Sequence, residues 1–284
     1  MSIWEYLTSE TTVPPHDIYL ILGCAVLYGI YRFLICKFVL APLSKYCDEK
    51  KRFKFIHRGF DCIHYCTSTL LGSLAFISRP YAHCPYYFLD CTPYMGPTGQ
   101  YFVCSVFEKI YLFFFCSYYV SDICWIYTAN DWKLIMFHHF VTLSLLSTCI
   151  MVARPVLGLS IMLLHDWVDI FLYLGKVGTY IKSKFADYFF YMFAVAFFYL
   201  RLFGVLSILY RLYTQPYVQT HHVLLYRYSC SCLGGLYVCH IIWGKQIVAA
   251  VLKIFFKADK PHDTRSDGGE KKPEEKTEKN RKKN

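Results

Sequence analysis

The sequence predicts an all-α integral membrane protein of about seven transmembrane helices, and three observations carry that expectation. Hydrophobic residues make up 56% of the 284 and charged residues only 18%, too apolar and too charge-poor for an ordinary soluble domain. Seven stretches approach the roughly 20 apolar residues needed to cross a bilayer core: residues 18–40, 59–78, 101–127, 133–152, 159–181, 188–212 and 223–255. The 26 Tyr and 24 Phe suit lipid-facing walls and headgroup-level belts, where an apolar ring body meets a polar tip.

The elements follow in order. Residues 1–17 are polar and acidic, with Glu5, Glu10 and Asp17, and do not resemble a cleaved signal peptide. The first apolar run, residues 18–42, is therefore expected to be retained as a helix. The loop after it carries Lys45, Lys50, Lys51, Arg52, Lys54 and Arg58 against Asp48 and Glu49, which places it in the cytosol by the positive-inside rule. Alternation then makes the N-terminus lumenal. Residues 130–133, 182–184 and the tail become cytosolic, and residues 79–100, 154–158 and the turn near Pro216 become lumenal. Each cytosolic segment contains Lys, whereas the lumenal ones hold little beyond Arg79 and Arg154.

The tail, residues 257–284, is rich in Lys and Glu without apolar periodicity and is expected to be disordered and cytosolic. Its final RKKN loosely resembles a dilysine retrieval signal of the endoplasmic reticulum. The formal charge of +10 resides in such loops and the tail; it is loop bias and not a nucleic-acid-binding stripe. Most of the 14 Cys lie within apolar runs and read as small buried hydrophobes. Cys84 and Cys91 share a loop assigned to the lumen, where a disulfide is permitted.

Against this background two stretches stand out: FHHFVTLSLLS, residues 137–147, and LLHDWVDIFL, residues 163–172. Ionisable groups at membrane depth are costly, so they usually face a protected interior and serve a function. On a helix, His165, Asp166 and Asp169 share one face, Lys176 continues it, and His138 and His139 lie within a turn of Thr142. The short turn at residues 154–158 requires the two spans to pack as an antiparallel pair.

Four readings of this cluster compete. The side chains could be interhelical hydrogen-bonding glue. They could chelate zinc or iron, although separated His-x-x-His boxes of the membrane di-iron kind are absent from the sequence. They could form a proton relay in a transporter, but no inverted repeat is visible. Finally, they could perform acyl transfer, with His as general base or as transient acyl carrier and a carboxylate orienting the ring.

Residues 131–180 supply a further signal. The His138–His139 pair, Thr142, Gly158, His165, Asp166, Asp169, Lys176 and Tyr180 resemble the longevity-assurance motif of ceramide synthases, within the wider TLC-domain family. Glu108 and Tyr111, Arg201, and HIIW from His240 to Trp243 agree with it, and the resemblance spans about residues 51–256. TCIMVA stands where the family has an Asn-rich step, and Tyr173 where it usually has Glu.

The resemblance implies six helices, within residues 43–256, bundled around an intramembrane cavity behind one extra helix. It also implies N-acylation of a sphingoid base by a fatty acyl-CoA in the endoplasmic reticulum membrane. Acyl-CoA is then a co-substrate, no further cofactor or metal is expected, and a homo- or heterodimer or a small regulatory subunit fits the family. The site expectation is His138 as acyl acceptor or principal base, His139 as its partner, Asp166 and Asp169 orienting imidazole, and His165 in the same relay. Thr142, Lys176, Tyr180, Arg201, His240 and Trp243 are the expected substrate-binding set. Residues 212–222 would influence acyl length, with His221 and His222 at headgroup level. A non-catalytic TLC-domain protein, a lipid sensor or translocon-associated factor, remains the alternative.

Overall fold

A computed structural model describes Glu5, Val13 and residues 15–77, 104–151, 155–214 and 223–257. Cys84, Cys91, Arg154, His221, His222 and the tail from residue 258 lie outside the described residues. Within them the architecture is helical throughout. The helices are α1 (Ile18–Ile35), α2 (Arg52–Ile77), α3 (Val106–Asp122), α4 (Trp132–Met151), α5 (Pro155–Tyr180), α6 (Ala186–Thr214) and α7 (Val223–Lys257). α1 continues through a π segment, Cys36–Leu40, and α6 contains a longer one, Phe197–Gly204.

Among the described residues five helices are long and apolar enough to cross a membrane: Ile18–Tyr46, Trp132–Ile150, Gly158–Tyr180, Ala186–Thr214 and Arg227–Leu252. α2 and α3 are the two expected spans outside that set. In α2 the apolar run is broken by Asp61, His64 and the Thr67, Ser68, Thr69 step, and α3 is only 17 residues long. Both are polar for a reason visible below: their inward faces line the site.

Local sequence signals fix several helix ends. Ser105 Oγ accepts from the Glu108 N–H at 3.2 Å while the Ser105 N–H donates to Glu108 Oε2 at 2.7 Å, a capping box that satisfies two otherwise orphaned donors at the start of α3. α5 ends differently. The Ser183 N–H donates to the Gly178 carbonyl at 2.8 Å and the Lys182 N–H to Thr179 at 3.3 Å, with Lys182 at φ 55°, the Schellman arrangement that normally takes glycine.

α5 is the central helix. It packs chiefly against α2 and α6, and less extensively against its sequence neighbour α4, whose main partner is α7; α1 packs on α3. Phe60, Tyr111, Phe115, Leu145 and Leu159 are buried in the main apolar core, and Val168, Phe193, Phe197, Cys239 and Trp243 form a second cluster joining α5, α6 and α7. The perimeter is the reverse of a soluble protein's. Val26, Leu27 and Phe33 on α1, Val195 and Phe203 on α6, and Val238 on α7 are exposed, as expected for a bundle whose solvent is lipid.

Gly72 lets α2 approach α3 and α5. A Cβ there would lie 2.7 Å from both Leu163 Cδ1 and Tyr111 Cζ. Gly72→Ala is expected to destabilise the bundle by about 1–3 kcal/mol, the usual cost of overpacking, seen as a lower thermal midpoint of detergent-solubilised protein. At the end of α5 the opposite holds. Lys182 carries left-handed backbone strain but gains only an exposed 2.8 Å contact with Asp48, and such exposed pairs contribute little. Lys182→Gly should therefore maintain or raise the midpoint. The contact holds the Asp48 carboxyl below its usual range, so what it contributes is present near neutrality and disappears as pH falls through the lowered Asp48 titration.

Candidate functional site

α5 distributes consecutive polar residues among different neighbours, because each residue turns about 100° from the last. Asp166 is fully buried, and its Oδ2 accepts from Ser68 Oγ of α2 at 2.6 Å and from Tyr111 OH of α3 at 2.7 Å. Its Oδ1 is buried without a hydrogen-bond partner. His165 faces α7. Its Nδ1 lies 2.6 Å from the Ile161 carbonyl and its Nε2 2.9 Å from His240 Nε2. A carbonyl only accepts, so Nδ1 of His165 carries hydrogen, and in the neutral pair its Nε2 accepts from His240.

One turn along, Asp169 meets Arg201. Arg201 Nη2 donates to Asp169 Oδ2 at 2.5 Å and to the His165 carbonyl at 3.0 Å. Arg201 lies within the π segment of α6, the kind of local bulge that often occurs at functional sites. Lys176 is also buried, with Nζ 5.1 Å from the centre of the Tyr173 ring. Tyr180 is buried at the end of the helix.

On α4 the two histidines are held differently. His139 Nδ1 donates to the Ile135 carbonyl at 3.0 Å, and its Nε2 lies 3.3 Å from Asp122 Oδ2, at the end of α3. One ring nitrogen is thus hydrogen-bonded to backbone, while the other makes a close charge contact with Asp122 without hydrogen-bond geometry. His138 is buried, with no hydrogen-bond partner for its Nδ1. Its ring centre is 5.2 Å from that of Trp243, 6.1 Å from His165 and 6.5 Å from His240. The Trp243 indole N–H donates to Asp131 Oδ2 at 3.3 Å.

Asp122 also receives Arg32, of α1, at 2.5 Å. Arg32 Nη2 is 3.7 Å from Asp61, which is further held by Arg58 Nη1 at 3.0 Å and by the Tyr118 hydroxyl at 3.3 Å. Neither Asp122 nor Arg32 was singled out by the sequence reading. Arg32 carried a signal, since it is an arginine inside an otherwise apolar run. Asp122 carried none beyond its position at a helix end.

These groups surround a pocket that is open at its mouth. His138, His139, Asp169, Lys176, Arg201 and Trp243 line it, together with Arg32, Arg58 and Asp122. A second, apolar gap, with room for about one water molecule, is lined by Phe115, Leu145, Gly158, Met162 and Leu236, with His165 and Thr142 at its wall. Thr142 Oγ1 is buried without a hydrogen-bond partner. Tyr119 lines both spaces, so the polar pocket and the apolar gap adjoin the same histidine layer. Among the described residues no group of three His, Cys, Asp or Glu side chains is placed to hold a metal ion.

Residues 54–249 match the sequence model of the TLC domain. Curated relatives include Ceramide synthase 1 LOH3 of Arabidopsis thaliana, 25% identical over 296 aligned positions that cover 93% of this chain and 94% of the relative. ASC1-like protein 3 of Oryza sativa subsp. japonica is 27% identical over 83% of this chain and 89% of its own length. Ceramide synthase 4 of Bos taurus is 30% identical across a shorter region, 49% of this chain and 36% of that protein. With the matched domain spanning well over half of its length and containing His138, His139, His165 and His240 on α4, α5 and α7, the chain belongs to the TLC-domain family.

Proposed function

We propose that this protein is a ceramide synthase, transferring a fatty acyl group from acyl-CoA to the amine of a sphingoid base. The observation that carries the reading is His138: a buried histidine with a ring nitrogen free of hydrogen bonds, lining a charged pocket. Family membership and relatives named as ceramide synthases support it. In this reading it is a seven-pass protein of the endoplasmic reticulum membrane, with a lumenal N-terminus and a cytosolic tail. The TLC bundle occupies residues 43–256.

The chemistry needs an uncharged amine, since an ammonium cannot attack a thioester. A ring nitrogen of His138 takes the ammonium proton, the amine nitrogen bonds to the acyl carbon, and the carbon–sulfur bond breaks. The second proton, lost by the nitrogen as the amide forms, leaves with the CoA thiolate as free thiol. Alternatively His138 first accepts the acyl group, releases CoA, and is then attacked by the amine. His139, with one ring nitrogen on the Ile135 carbonyl and the other beside Asp122, suits an orienting role better than attack on a thioester. Arg201 and Asp169 set the cavity wall, and the His165–His240 pair backs His138. Lys176 and Arg58 add positive charge for an acyl-CoA.

The direct test is N-acylation of a labelled sphingoid base by microsomes containing the protein, across a panel of acyl-CoA lengths. His138→Ala is expected to lower the rate at least about 100-fold, the usual scale for losing a general base, while retaining the wild-type gel-filtration profile. His138→Ala/His139→Ala should show no product above background, and Asp166→Asn a partial loss. Normal product from the double variant overturns the assignment of the histidines. A wild-type protein that acylates no long-chain amine overturns the enzyme reading in favour of a lipid-sensing role.

A further inference from the structure

The helix that precedes the matched TLC domain reaches into the site. α1 lies wholly outside residues 54–249. Its lipid-side residues Val26, Leu27, Ile30 and Phe33 are exposed, whereas Arg32 is only 3% exposed. The guanidinium lies 4.9 Å from the centre of the Phe60 ring and 5.1 Å from that of Trp125, so its approach is fixed by flat walls on α2 and on the turn after α3.

Arg32 has two carboxylates within reach, and the charges sort them. Asp61 already receives Arg58 at 3.0 Å and the Tyr118 hydroxyl, with Arg32 only at 3.7 Å. Asp122 receives Arg32 Nη1 at 2.5 Å on Oδ1 and presents Oδ2 to His139 Nε2 at 3.3 Å. One carboxylate thus bridges a cation from α1 and an imidazole from α4, using a different oxygen for each. Without its cation, this largely enclosed carboxylate loses its main partner charge, and its hold on the ring would slacken.

We propose that Arg32 is a positioning residue for the histidine pair, acting through Asp122 on the ring of His139. The function it serves rests on the acyl-transfer reading. The chain acts by geometry: the Ile135 carbonyl hydrogen-bonds one nitrogen of His139, Asp122 sets a charge 3.3 Å from the other, and Arg32 holds Asp122. Because His139 adjoins His138, its rotamer sets the space in which His138 meets substrate. The first helix is then part of the catalytic unit and more than a membrane anchor, and residues 54–249 alone lack one component of the site.

Two readouts on the full chain test this. The first does not need activity: diethyl pyrocarbonate labelling, resolved by peptide fragmentation, reports how well each histidine is held. Arg32→Met should raise His139 labelling several-fold over wild type and Arg32→Lys much less; unchanged His139 labelling in Arg32→Met overturns the proposal. The second is kinetic. Arg32→Met and Asp122→Asn should each lower kcat by about 10- to 100-fold, short of the roughly 100- to 10,000-fold cost of losing a general base outright, with KM for both substrates within about threefold. The double variant should be no slower than Asp122→Asn, because both losses act on one interaction; losses that multiply overturn the shared path. If Arg32→Met fails to yield folded protein, Asp122→Asn decides on both readouts, and wild-type values for it overturn the proposal. A wild type that forms no N-acyl product removes the acyl-transfer reading, while the labelling result still decides whether Arg32 positions His139.

Discussion

The bundle depends on charge being buried only in company. Arg201 reaches from α6 to the Asp169 carboxylate and the His165 carbonyl of α5, and Arg32 reaches from α1 to Asp122 at the end of α3. Between helices surrounded by lipid, apolar contact offers little preference over apolar solvent, so packing and interhelical polar contacts decide which helix lies beside which. Breaking such a pair by removing one partner typically costs about 3–5 kcal/mol, because the other charge is stranded. The pairs are therefore also registration marks. Each fixes the rotation of one helix about its axis relative to a neighbour.

That fixed rotation separates the polar residues of α5 into distinct tasks. Asp166 turns to Ser68 and Tyr111 and joins α5 to α2 and α3. His165 turns to His240 and joins it to α7. Asp169 turns to Arg201, on the wall of the large cavity. His138 and His139 line the charged space, and His165 borders a small apolar gap beside it. Gly72 serves the same layer from behind by letting Tyr111 lie close against α2.

The polar cluster itself was legible in the sequence. Two adjacent histidines and a His-Asp-x-x-Asp run are too expensive in apolar helices to pass as accident, and both sets are buried in the structure. The pairing inside the cluster was less legible. The sequence reading set Asp166 and Asp169 beside the histidine pair; the geometry gives Asp166 to Ser68 and Tyr111, gives Asp169 to Arg201, and brings Asp122 to His139. The short connection between α4 and α5 suggested that they face one another, yet α5 packs more extensively on α2 and α6. A short turn makes two helices neighbours without making them principal partners.

Composition, the length of the apolar runs and the placement of ionisable groups are properties of the chain itself. They determined that the protein is helical, that it suits a membrane, and that its buried ionisable residues cluster at His138, His139 and the face of α5. Which carboxylate meets which histidine was decided only by tertiary structure. Helical periodicity assigns a side chain to a face of its own helix, whereas the partner depends on the rotation and depth of another helix far away in sequence. Asp122 and His139 are on different helices, and Arg32 is on a third. Only the folded bundle brings these three residues together.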